Sequence, residues 1–196
     1  MPIVGRFGNI LVTASGQGVK RIPVGTYDVF VTRGIEYSLN QHRIRISEGK
    51  MSHLTSELSR AIDTSGFISS DFHLHLQFAM RDGALVSAAE GLDLLTATDH
   101  NVLKDYSSYI EELNLGRFMT SVVGAEVDTE FGHFNSFPMS VNHWEDRTFR
   151  RSIQTPGEML RLLRQDPGDE IVQINHPRLG SERDGYFNGR IDPNSQ

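Results

Sequence analysis

The chain has no cysteine. Disulfides, thiolate zinc sites and cysteine nucleophiles are therefore excluded. Any bound metal must be held by histidine, carboxylate or water, a donor set that suits zinc, manganese or iron. Long apolar runs are missing as well: nothing approaches the stretch of about 18 apolar residues that a spanning helix needs. The first residues lack the basic and apolar regions of a secretory signal, which leaves the compartment open. There is no basic cluster, and the net charge is −6. That balance argues against nucleic-acid or anionic-membrane partners. It still admits a phosphorylated substrate, because metal ions can supply the positive charge. Neither a glycine-rich phosphate loop nor a serine nucleophile elbow occurs.

What is there is a chain of 196 residues with 38% hydrophobic and 22% charged content. That is enough for one large domain, or one with a small module attached. Residues 1–62 read as a small β module. Apolar runs at Gly8–Thr13, Gly25–Thr32 and His42–Ile46 are separated by turn-rich breaks, and the last two alternate as half-buried strands do. Ser56–Ile62 is a further strand or a short helix. Strands at this spacing predict a small sandwich.

From Gly66 the pattern alternates strand and helix. Strands are predicted at Phe67–Leu74, Leu92–Thr98, Thr120–Val127, His133–Pro138 and Glu170–Asn175. One helix is capped by Asp82 and stopped by Gly91. A second starts at Asp105 or Ser107 and closes at Gly116. A third, Met159–Arg164, follows the capping box Thr155-Pro156-Gly157-Glu158. Repeated βα units predict a mainly parallel sheet or a barrel over residues 66–196.

The stretch from Ser70 to Asn101 organises this second region. His73 and His75 are two residues apart on a strand and so point to one side. The next strand delivers Asp99 and His100 just past its last apolar residue. Glu126, His133 and His176 occupy comparable positions on later strands, so five of the eight histidines fall at strand ends. In β/α barrels the chemistry is built at that end from several strands. A metal site is the reading that joins them. His42, His53 and His143 take ordinary structural roles, the last beside the polar insert Trp144–Arg147. Asp105, Asp128 and Glu130 read as loop charges, and Tyr106 and Tyr109 as helix-face packing. Asp71 shares a face with the two strand histidines, as a support for them or for the next loop.

These motifs resemble a known family. Asp71-Phe72-His73-Leu74-His75, Thr98-Asp99-His100-Asn101, Gly124-Ala125-Glu126, Gly132-His133-Phe134-Asn135 and Asn175-His176-Pro177 look like the successive motifs of the PHP (polymerase and histidinol phosphatase) superfamily. The carbaryl-hydrolase-like branch, which often carries a β module in front, is the most similar. The resemblance spans about residues 66–180. It implies an α/β fold with a seven-stranded β/α barrel. It also implies two or three divalent metal ions (manganese, zinc or iron) and hydrolysis of a small phosphate ester or related ester. His73 and His75 would then bind a first metal. Glu126 would bridge it to a second, held also by His133 and His176. His100 would belong to a third, with Asp99 beside it, and these two are the candidate catalytic residues. Two departures stand out. The family's serine-aspartate-glycine loop is replaced by Leu76–Gly83, and its closing aspartate-x-histidine motif is absent. The expectation is therefore an incomplete barrel, truncated at its carboxyl end.

Hydrolysis in such a site would use water made acidic by clustered cations. An alternative of another class is a non-catalytic metal-binding or interaction fragment. A third reading, a surface-binding protein driven by the β module, would need an exposed aromatic platform, whereas Tyr27, Phe30 and Tyr37 read as strand packing. Substrate identity and oligomeric state are open at this stage.

Overall fold

The computed structural model describes residues 9–76, 79–140, 155–164 and 169–179. The expected positions His143 and Trp144–Arg147, and Gln77 and Phe78 of the loop after His75, lie outside the described residues.

The first sheet is a two-stranded antiparallel ribbon of β1 (Gly25–Val31) and β2 (Asn40–Ile46). Its alternation is clean. Tyr27, Val29 and Val31 face Ile44, His42 and Asn40 on the half-buried side, while Asp28 and Arg43 pair on the exposed side. The segment after β2 returns along residues 36–38, where Tyr37 bridges Arg60. Residues 9–13 form no strand, so a ribbon with one bridge stands where a sandwich was expected. Val12 and Ala14 instead pack on the main core.

The second sheet is parallel, in the order β3 (Ser70–Leu74), β4 (Leu94–Ala97), β5 (Thr120–Val122). Helix α1 (Met80–Ala89) connects the first two strands and α2 (Ser107–Glu112) the next two. Leu85, Ala88, Leu95, Ala97, Ile110 and Leu115 meet in its core, each nearly inaccessible to water. Asp82 is not the cap of α1: the chain enters the helix at Ala79, and Asp82 lies in the first turn.

The third sheet is antiparallel: β6 (Ala125–Thr129), β7 (Gly132–Phe137), β8 (Ile171–Ile174). Helix α3 (Pro156–Leu162) covers one face. Thr155 caps it by accepting the Glu158 N–H at 3.2 Å, with proline at the first helical position. Met159 and Leu163 bury against Ala125, Val127 and Phe134.

Among the described residues no (β/α)7 barrel forms and no sheet closes on itself. The expected single strand Thr120–Val127 is broken at Gly124 into β5 and β6. A β-carbon on Gly124 would sit 2.8 Å from the carbonyl oxygens of both Ala97 and Ser136, so only glycine fits this corner. Beyond it, two residues connect β6 to β7. A parallel partner would need a crossover of about a dozen residues, so the pair must be a hairpin. The parallel and antiparallel sheets are joined where His100 bridges Glu126, with Asn101 donating its N–H to the Glu126 carbonyl at 2.7 Å. Asn135 on β7 also donates to the Phe72 carbonyl of β3 at 2.6 Å, and Phe72 stacks on Phe137. No helix among the described residues is long and apolar enough to cross a membrane.

Candidate metal centre

Strand alternation places the site. On β6, Ala125 and Val127 point into the core under α3, which sends Glu126 and Asp128 to the opposite face. On β7, Phe134 joins that core, so His133 and Asn135 share the face of Glu126 and Asp128; His133 lies directly opposite Asp128, and Asn135 opposite Glu126. The end of β3 brings His73 and His75, the extension of β4 brings His100, and the end of β8 brings Asn175 and His176.

The Glu126 carboxylate is the centre, fully buried. Its Oε2 lies 3.0 Å from His73 Nε2, 3.0 Å from His75 Nε2 and 3.4 Å from His100 Nε2. Its Oε1 lies 3.1 Å from His133 Nδ1, 3.2 Å from His176 Nε2 and 3.0 Å from Asn175 Nδ2. The five imidazoles form a closed circuit around it. Neighbouring ring centroids are 5.0 Å apart for His73–His75, 4.6 Å for His75–His100, 5.3 Å for His100–His133, 5.0 Å for His133–His176 and 5.5 Å for His176–His73.

Electrostatics follow from this crowding. Burial favours neutral Glu126, but the Asn175 hydrogen bond and the His100 and His73 imidazoles outweigh it and hold the carboxyl below its ordinary range. His75 is pushed down by burial, with His100 and His73 adding to the effect and Glu126 opposing it. Burial likewise opposes charge on Asp128, yet hydrogen bonds from Asn101 and His100 keep its carboxyl low.

The donor set fits a cation on two physical grounds. First, a carboxylate accepts about four hydrogen bonds, and six nitrogens crowd this one. Some of those nitrogens must face Glu126 with a lone pair, which is repulsive unless a positive charge lies between. Second, two ligands each ~2.1 Å from one ion and about 90–109° apart are ~3.0–3.4 Å from each other. The Glu126–imidazole separations fall in that range. Three groups bring their ligand atoms within 4.8 Å of one another: His73, Glu126 and His176; His75, His100 and Glu126; His100, Asp128 and His133. The buried His176 Nδ1 has no hydrogen-bond partner among the described residues.

All six expected metal-site residues thus come together. Asp99, expected beside His100 as a catalytic group, is placed differently. It is fully buried, and its two oxygens accept from the Leu76 N–H at 2.9 Å and the Tyr106 hydroxyl at 2.7 Å. It belongs to none of the three ligand groups. Tyr106 is more than packing: burial first, and the Asp99 contact second, drive its pKa upward and keep the hydroxyl protonated. Asp71 accepts the His73 N–H at 2.9 Å and so shapes the strand end.

Asp128 is the residue that the sequence reading missed. It lies on β6 rather than in a loop. Its Oδ1 is 2.6 Å from His100 Nδ1, and its Oδ2 accepts from Asn101 Nδ2 at 2.7 Å. The signal was present, since Asp128 is two residues past Glu126 on a strand, the same spacing that pairs His73 with His75. Asn175 and Asn135 were also unassigned. Asn175 donates to Glu126 and, at 2.6 Å, to Asn135 Oδ1, tying β8 to β7. No protein-family model matches this chain, and neither a curated protein nor a solved structure shows significant similarity to it.

Proposed function

We propose that this chain is a metal-dependent hydrolase acting on a small phosphate ester or a related ester. The observation that carries the reading is the buried Glu126 carboxylate within 3.0–3.4 Å of five imidazoles. A carboxylate in that setting could serve two cations and would offset their mutual repulsion. With no thiol in the chain, manganese, zinc or iron are the ions that suit the nitrogen and oxygen donors. The order of motifs similar to those of PHP proteins supports the same reading, although the fold is not the barrel that the resemblance implied.

In this scheme His73 and His176 would hold one ion with Glu126, and His75 and His100 would hold the second with the same carboxylate. His100, Asp128 and His133 offer a third position. Bound ions would supply Lewis-acid polarisation of a substrate oxygen and acidification of water. The chain does the rest. Asp128, as a carboxylate, requires the proton on His100 Nδ1 and so turns the Nε2 lone pair toward the cluster. The His75 and His100 rings remain about one-third exposed, 33% and 37%, which leaves this side open to substrate. Asn175 holds Glu126 and is itself held by Asn135, both of them buried.

The test is metal content and hydrolysis together. Purified protein is stripped with a chelator, reloaded separately with manganese, zinc or iron(II), and assayed on an aryl phosphate and an aryl ester. The expected result is uptake of two or more ions per chain and hydrolysis that follows reloading. Glu126→Gln should lose both. Uptake without hydrolysis of either substrate overturns the hydrolase reading. No uptake overturns the metal site as well.

A further inference from the structure

A cavity of ≈ 370 Å³ opens at the opposite end of the parallel sheet from the imidazole cluster. Phe67 and Asp93, which precede β3 and β4, line it together with Arg33, Glu36, Tyr37 and Arg60 from the N-terminal region. At ~3.3 Å per strand residue the two sites are separated by roughly 15–20 Å. The volume lies at the small end of the range for ligand pockets, about 300–1,000 Å³.

The two arginines of the cavity differ in a telling way. Arg60 is engaged: it binds Glu36 at 2.5 Å, donates to the Tyr37 hydroxyl at 3.0 Å and contacts Thr64. Arg33 also stacks over Tyr37, its guanidinium carbon 5.3 Å from the ring centroid. Yet Arg33 has no hydrogen bond or ion pair with any described residue, and its Nε is buried without a partner. A buried, unpaired guanidinium donor is costly unless something binds it. The backbone that presents Arg33 is held in place. Gly34 donates its N–H to the Glu90 carboxylate at 2.9 Å, and with φ +57 it packs against the Glu90 carbonyl so closely that a β-carbon would lie 2.1 Å from that oxygen. The backbone from which Arg33 enters the cavity lining is therefore held in place.

We propose that this cavity is a second binding site, for a small monocarboxylate. The planar fork of Arg33 matches a carboxylate in a bidentate manner. The lining is mostly polar, and Phe67, 80% exposed, adds one apolar edge that a ligand can cover. Charge selects the anion. Glu36 is paired with Arg60, and Asp93, also in the lining, is bound among the described residues only through the Ser69 N–H. A lining that holds one cation unpaired among the described residues, together with the Asp93 carboxylate, accommodates a single negative charge better than the double charge of a phosphate monoester. The site is thus distinct in ligand class from the metal cluster, and it does not depend on that cluster's function.

The experiment is amide-resolved NMR titration of the full chain with benzoate and, in parallel, phenyl phosphate. Benzoate should shift the amides of Gly34, Gly91 and Phe67 in a saturable way and leave those of Asn101 and Glu126 in place. Arg33→Met should weaken benzoate about tenfold or more, the loss of a charge-assisted pair. Arg33→Lys keeps the charge without the fork and should fall between the two. Phe67→Ala should weaken benzoate several-fold with every charge intact. Three results each overturn the proposal: no saturable shift at the cavity amides, benzoate binding unchanged in both Arg33 variants, or phenyl phosphate binding the cavity as tightly as benzoate.

Discussion

Asp128 Oδ1 lies 2.6 Å from His100 Nδ1, and the His100 Nε2 on the far side of the ring is 3.4 Å from Glu126. One imidazole is thereby held between two carboxylates, with its tautomer set by the outer one. Asp128→Asn keeps the shape but can present an amide N–H to Nδ1, which reverses the ring's proton preference. Partners of this kind typically change metal affinity about 10–100-fold. The weakest-bound ion should lose affinity by that order while the remaining ions stay bound, as calorimetric titration of the stripped variant would read. Unchanged affinity for every ion would remove Asp128 from the site.

Glu126 should matter more than any single imidazole. It touches all five rings, whereas His100 approaches only Glu126 and Asp128 among the carboxylates. Glu126→Ala is expected to abolish metal uptake, and His100→Ala to reduce it by about one ion. Elemental analysis of the two purified variants decides this, and equal loss in both would contradict a bridging role.

Acid should destabilise the metal-stripped protein in two stages. His75 is held below its ordinary 6.5, chiefly by burial. Between its folded value and 6.5 the unfolded chain binds the extra proton, so stability falls as pH falls through that window. Glu126 and Asp128 are both held below their ordinary 4.5 and 3.8, because their hydrogen bonds and imidazole neighbours outweigh burial. Their contribution is complete above those values and is lost as pH drops through the folded-state pKa of each. Urea unfolding across pH 3 to 8 should show a first decline beginning near 6.5 and a steeper one below 4.5. Stability that rises on acidification would contradict both assignments.

Tyr106→Phe probes Asp99. The hydroxyl is buried and donates to the Asp99 carboxylate at 2.7 Å. Removing a donor to a buried charged group costs about 1–3 kcal/mol. Thermal unfolding should therefore fall by several degrees, with metal uptake nearly unchanged. A large loss of metal with intact stability would instead place Asp99 in the metal cluster.

Much of the site was legible locally. The two-residue spacing of His73 and His75 predicts a shared face from backbone period alone, and the helix start at Thr155-Pro156-Gly157-Glu158 follows from capping chemistry. The βα alternation from β3 to β5 was also visible, as apolar runs separated by helix starts and glycine stops. The barrel was not there to be read. Extending the βα pattern past Gly124 ignored the two-residue link between β6 and β7, which forces a hairpin. Asp128 escaped for the same reason, because a strand was taken to end before it.

Side-chain direction along one strand is a local property, set by the backbone period, and the sequence alone determined which residues share a face and that histidine and carboxylate are the available ligands. Which faces meet was decided only in the tertiary structure. Asn135 had to reach Phe72, His100 had to bridge Glu126, and Ala125, Val127 and Phe134 had to bury under α3 before six side chains from five strands could surround one point. Those pairings join residues distant along the chain. They are chosen by the burial of apolar faces across the whole fold, a competition that no short stretch of sequence records.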